Sequence, residues 1–109
     1  MAGETDRYLE ARAAFARSSA EMDGVANTLQ EVGVGLREHR SKFHFSNVPT
    51  GLPMEAVMNP RSPTVDANRW LTADQIQQAL ARWHAARTEM TNAWSAIPRD
   101  IQPGLQPPL

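Results

Sequence analysis

Large apolar residues return at every seventh position along the first third of the chain, at Tyr8, Phe15, Met22, Leu29, Leu36 and Phe43. With these at position a of a heptad, Ala11, Ser18, Val25, Val32 and His39 fall at d, and a and d together make the seam of a coiled coil. No proline interrupts the segment, so the pattern predicts one long helix over about residues 5–42. On its flank Ser19, Ala26 and Gly33 at position e, with Gly35 at g, leave room for a second helix to come close. A glycine costs a helix interior about 1 kcal/mol against alanine, so Gly24, Gly33 and Gly35 weaken the helix locally, with a kink expected at the last two.

The seven-residue pattern stops at His44. From about 44 to 70, Pro49, Pro53, Pro60 and Pro63 break any regular element, and only PMEAV, Pro53 to Val57, suits a helical turn. A second helix over about 73–97 is announced by LTADQI. Thr72 and Gln75 fit a capping box, in which each satisfies a free backbone N–H of the other, and Leu71 and Ile76 fit the hydrophobic staple around it. Ile76, Leu80, Trp83, Arg87, Met90, Trp94 and Ile97 then alternate in steps of four and three, a seam interrupted once by Arg87. Pro98 ends the helix, and the proline-rich remainder, 99–109, is expected to be extended in polyproline fashion.

These elements predict an all-α fold: an antiparallel, coiled-coil-like two-helix hairpin over residues 1–98, with a long proline-containing connection and an extended proline-rich tail. Matching side-chain volumes sets a register in which Trp94 and Ile97 lie opposite Ala11 and Ser18, and Trp83 lies beside Val25 and Ala26. Phe15, Met22, Leu29, Trp83, Met90 and Trp94 then share one seam. Leu36 and Phe43 project beyond helix two, where Leu52, Val57 or Met58 of the connection is expected to cover them.

Charge adds little to this picture, and that itself excludes functions. Eleven Lys and Arg against twelve Asp and Glu leave a net charge of −1, which argues against an extended nucleic-acid face. The absence of cysteine excludes disulfides and thiolate metal sites. The start, MAGETDRYLE, is acidic where a signal peptide would be basic and then apolar, and no segment approaches the ~20 apolar residues of a membrane span. A cytoplasmic protein, or one within an assembled particle, is the expectation.

One local cluster is basic. Arg37, Arg40 and Lys42, with His39, His44 and interleaved phenylalanines, could form an anion patch, yet cations also complement the negative end of a helix and cap its carbonyls. Zinc ligation by His39, His44, Glu38 and a distant His84 is poorly spaced, since helical histidine ligands stand three or four residues apart. Trp83 and Trp94 fit a core better than a ligand cage, whereas Trp70 stands ahead of the second helix and reads as a partner contact. Ser18, Ser19, Glu21 and Asp23 lack a base or partner at a fixed offset, so no enzyme, metal or cofactor is expected.

The hairpin layout resembles the small secreted proteins with a Trp-x-Gly turn and the needle subunits of type III secretion. It departs from both: no tryptophan here stands two residues before a glycine, and the needle subunits turn over a short loop. The closing run AWSAIPRDIQPGLQPPL resembles in character the small proteins of bacterial phages and prophages, without carrying a motif. Two packed helices bury one stripe each, and fewer than roughly 70–80 ordered residues seldom outweigh conformational entropy without oligomerisation, staples or metal. The expectation is therefore a non-enzymatic structural or assembly protein that packs into a larger complex, a virus or phage particle being one instance. The alternative is a soluble adaptor, chaperone or regulator. Its partners are proteins or further copies of itself rather than nucleic acid or membrane. The expected contacts are the small flank at Ser19, Ala26 and Gly33, then Trp70, and then Ile101, Leu105 and Leu109 of the tail.

Overall fold

The computed structural model describes residues 3–49 and 63–109. Helix α1 spans Gly3–Glu38 and helix α2 spans Ala73–Ser95; between them lie strands β1 (His44–Ser46) and β2 (Thr64–Asp66) and a 3-10 turn, Ala67–Arg69, while a second 3-10 turn, Gln102–Gly104, follows α2. The described chain is mostly helical, with two long helices packed together, but the small sheet means that it is not all-α. The single hairpin expected over 1–98 also divides differently. One compact unit comprises Met1–Asp23 and Asp74–Leu109, and another comprises Gly24–Ala73.

In the first unit, α1 and α2 run antiparallel, as the cross-pairs show: Arg7 bonds Glu89, Ser19 meets Trp83, and Arg82 bonds Glu21. Tyr8, Ala11 and Phe15 from α1 bury against Met90, Ala93 and Ile97, with Trp83, Ala86, Trp94 and Leu105 packed around them. Each large side chain buried in this way contributes about 1.5–3 kcal/mol. The register differs from the volume-matched one. Trp94 stacks at 4.9 Å on Tyr8 and Trp83 at 5.3 Å on Phe15, both tilted, so α2 sits nearer the start of α1 than expected. Tilted aromatic pairs gain about 0.5–1.5 kcal/mol beyond the area they bury, which favours large beside large. Small residues supply the close approach instead: Ala79, Ala86 and Ala93 recur every seventh position on α2, and the first and last of them are buried.

The tail belongs to this unit and is not free. Beyond Ser95, Pro98 accepts backbone bonds from Ile101 and Gln102, and two further turn bonds deliver Leu105 onto the core. Gln102 Nε2 donates to the carbonyls of Trp94 and Ile97, both 3.2 Å away, satisfying acceptors that the end of a helix leaves open. The Tyr8 hydroxyl donates to the Gln106 carbonyl at 2.6 Å, and Arg12 Nε donates to that of Pro107 at 3.2 Å. The expectation of an extended tail reserved for another molecule is therefore corrected. Proline stops the helix, but the intervening QPG forms a turn and brings the chain back.

In the second unit α1 ends at Glu38, a full turn before the expected Lys42. His39 N still bonds Gly35 O, and then Lys42 N and Phe43 N both bond His39 O, a tight turn that returns Phe43 to the helix. Phe43 lands on Gly35, where an added Cβ would lie 2.7 Å from Cε2 of the ring and nearer still to Cγ and Cδ2. The small residue at position g thus admits an aromatic ring of the same chain, not a second helix. Val32, Phe43 and Val65 form the core, with Phe45 beside them. β1 and β2 pair in parallel, His44 with Thr64, Phe45 with Val65 and Ser46 with Asp66. Asn47 closes β1 in the left-handed region at φ 67°, a conformation that Asn tolerates. Its Nδ2 donates to Asp66 Oδ2 at 2.6 Å, while Asp66 Oδ1 accepts from Asn68 N and caps the 3-10 turn.

The heptad read from the sequence holds only in part. Tyr8 and Phe15 are buried and Met22 is half-buried, but Leu29 is 42% and Leu36 57% exposed. From Gly24 onward the buried positions of α1 are Thr28, Val32 and Gly35, at g and d. Leu29 thus leaves the expected seam. Leu52, Val57 and Met58, expected to cover Leu36 and Phe43, and the turn at PMEAV lie outside the described residues.

Candidate protein-binding surface

The exposed heptad residues lead to a site. Leu36, together with Val32, Phe45, Val48, Ala67 and Trp70, lines an apolar groove of about 360 Å³ on the second unit. The aromatic side chains are fixed by one another: Phe45 meets Phe43 edge-on at 5.6 Å and Trp70 edge-on at 5.9 Å. Residues 43 and 45 stand two apart, which places their rings on one face as a strand requires. The 3-10 turn positions Trp70, whose N–H bonds the Ala67 carbonyl at 3.2 Å. Arg69 anchors the same turn to α1, reaching Glu31 at 3.3 Å and the buried Thr28 hydroxyl at 3.0 Å. Rigid walls and an open apolar floor suit the insertion of an apolar side chain. Leu36, Val48 and Trp70 are 57%, 44% and 44% exposed, a concentration of apolar surface that marks interaction sites.

A second depression on this unit, about 490 Å³, is lined by polar groups that include Asn27, Gln30, Glu31 and His39. Its acid, Glu31, is bridged to Arg69, and its aromatic, Phe43, is committed to the core. The arrangement gathers no reactive pair.

The basic stretch follows Leu36. Arg40 Nε donates to the Leu36 carbonyl at 3.2 Å and Arg37 Nε to that of Gly33 at 3.5 Å, so both guanidiniums lie over the last turn of α1. This is the capping geometry that favours cations at helix ends. His44 Nδ1 stands 3.2 Å from the Lys42 carbonyl, and the His84 ring meets Trp83 edge-on at 5.0 Å. Among the described residues no three His, Asp or Glu side chains converge as metal ligands would. Nor, among them, is any helix long and apolar enough to cross a membrane.

The expected contact residues scatter. Ser19 accepts the Trp83 indole N–H at 3.0 Å, so it works inside the first unit, where a packed indole needs an acceptor. Ala26 is exposed, and Gly33 is half-buried with the Arg37 guanidinium over it. Leu105 packs on the core, whereas Ile101 and Leu109 are 46% and 58% exposed. Only Trp70 joins the groove. Val48 and Leu36 were legible as apolar residues seeking cover, but Ala67 and the turn that carries it gave no periodic signal.

Three carboxylate and guanidinium groups depart from their ordinary values. The hydrogen bond to Glu89, then its charge, raises Arg7, and the bond from Arg7 holds Glu89 low. Asp66 is lowered first by the Asn68 backbone N–H and then by the Asn47 amide. All three hold structure together; none is a poised acid or base.

Compared with protein-family models, with curated proteins and with solved structures, the chain matches none.

Proposed function

We propose that this chain is a non-enzymatic structural or assembly protein, a helical subunit that packs into a larger protein complex. The observation that carries the reading is the apolar groove of Leu36, Val48 and Trp70, open to solvent on a unit whose own core is only Val32, Phe43 and Val65. So small a core gains from apolar burial against a partner, because the hydrophobic contribution scales with area removed from water. Leu29, exposed one heptad before Leu36, extends the same demand along α1.

The native mass of the protein as isolated from its source tests the reading. A subunit travels within a large complex at fixed stoichiometry. A free monomer or a small exchangeable oligomer would overturn it and favour an adaptor or regulator.

A further inference from the structure

The groove has an occupant of matching chemistry on the chain itself. This inference rests on the assembly reading above and specifies the contact. We propose that copies of the chain associate head to tail, Leu9 of one copy seating in the groove formed by Leu36, Val48 and Trp70 of the next.

Leu9 is 48% exposed on the first turns of α1, at a heptad position facing away from the buried seam. Asp6 lies one helical turn before it and Glu10 beside it, both exposed. The cation of that turn, Arg7, is engaged through two nitrogens with Glu89, at 2.7 and 3.2 Å, so its charge is offset within the unit. Leu9 is therefore an apolar anchor with an acidic rim. Ala13 and Ala16 follow it at steps of four and three, exposed and small, so a partner surface can come close to the helix there.

The groove carries the opposite rim. Arg37, Arg40 and Lys42 follow Leu36, and the Arg40 guanidinium sits on the Leu36 carbonyl. The nearby carboxylate, Asp66, is occupied by Asn47 and Asn68. An apolar plug with acids entering an apolar groove with cations gives both burial and orientation. Groove against groove would oppose two basic rims, a like-charge juxtaposition that disfavours the symmetric pairing. The other exposed apolar side chains fit less well: Ile101 follows Arg99 and Asp100, which cancel, and Trp70 is itself a wall of the groove. Because plug and groove are different surfaces, each copy that joins leaves one of each unfilled, and the contact repeats into a ring or an open chain.

Sedimentation velocity on the full chain, over a wide concentration range at low salt, should show a concentration-dependent series of oligomers that shrinks as salt screens the rims. Leu9→Lys and Leu36→Lys should each weaken self-association by about tenfold or more, with circular dichroism unchanged because both positions are exposed. Mixing the two variants is the decisive measurement. Each retains the half that the other has lost, so the mixture should form a one-to-one dimer that grows no further. A mixture that stays monomeric, or a wild-type chain that is monomeric throughout, overturns the head-to-tail contact. If that monomer is nevertheless found within a large complex in its source, the assembly reading stands and the contact alone is wrong.

Discussion

At the scale of single residues, two glycines of one helix carry opposite expectations. Gly24 lies in α1 with nothing within 4 Å of a Cβ added there, so Gly24→Ala should stabilise by about 0.4–1 kcal/mol through helix propensity and a less free unfolded chain. Gly35→Ala has the same propensity gain, but its methyl group would enter the Phe43 ring. Displacing a packed ring costs about 1–3 kcal/mol, so the net effect should be destabilising, and chemical denaturation of the two variants side by side checks the sign. Asp66 gives a pH dependence. Its pKa is held below the ordinary carboxylate value in the folded chain, so its contribution is full above the unfolded value and is lost as pH falls through the folded one. The second unit should therefore loosen in acid before the carboxylates of α1 that face water matter, and Asp66→Asn should remove that part of the acid sensitivity. The Asn68 amide resonance, followed against pH in both chains, reports the step directly.

At the scale of elements, the helices were legible and their partners only partly so. The seven-residue recurrence placed α1, and Thr72 placed the start of α2 at Ala73, because periodicity and capping act within a few residues of sequence. Which positions of α1 are buried depends on what lies against it, and that is not local. Up to Asp23 the neighbour is α2, and a and d are used; from Gly24 the neighbours are Phe43 and Val65, and Thr28, Val32 and Gly35 are used instead. A heptad extended from the first stretch thus assigns Leu29 wrongly. Leu29→Ala should shift stability by no more than about 0.5 kcal/mol, whereas Met90→Ala, at a site 1% exposed, should cost about 2–5 kcal/mol. Equal losses in thermal unfolding would put Leu29 back in a core. The alanines at 79, 86 and 93 were a seven-residue signal as regular as that of α1, passed over because small side chains read as filler beside Trp83 and Trp94. The groove was less legible still. It needs Phe45, Ala67 and Trp70 together, and a parallel strand pair with a 3-10 turn is too short to leave a periodic trace.

At the scale of the whole molecule, the tail decides whether the first unit is two helices or more. Composition alone made PRDIQPGLQPPL a candidate for another molecule's groove, because proline removes backbone donors and holds the chain extended. The same segment keeps its carbonyls, and those of Gln106 and Pro107 accept bonds from Tyr8 and Arg12 while Leu105 adds to the core. Deleting the residues after Arg99 should therefore cost the isolated chain about 2–4 kcal/mol, the sum of a part-buried leucine and a few modest hydrogen bonds, where an intermolecular tail would cost nothing. A double-mutant cycle separates the specific contact from a general loss of chain. Tyr8→Phe removes only the hydroxyl and should cost about 0.5–1.5 kcal/mol in the full chain. In the truncated chain, where Gln106 is gone, the same substitution should cost close to nothing, since the two changes share one interaction and cannot add. If Tyr8→Phe costs the same in both, the hydroxyl serves something other than the tail, and the fastening of this segment to α1 must then rest on Leu105 and Gln102.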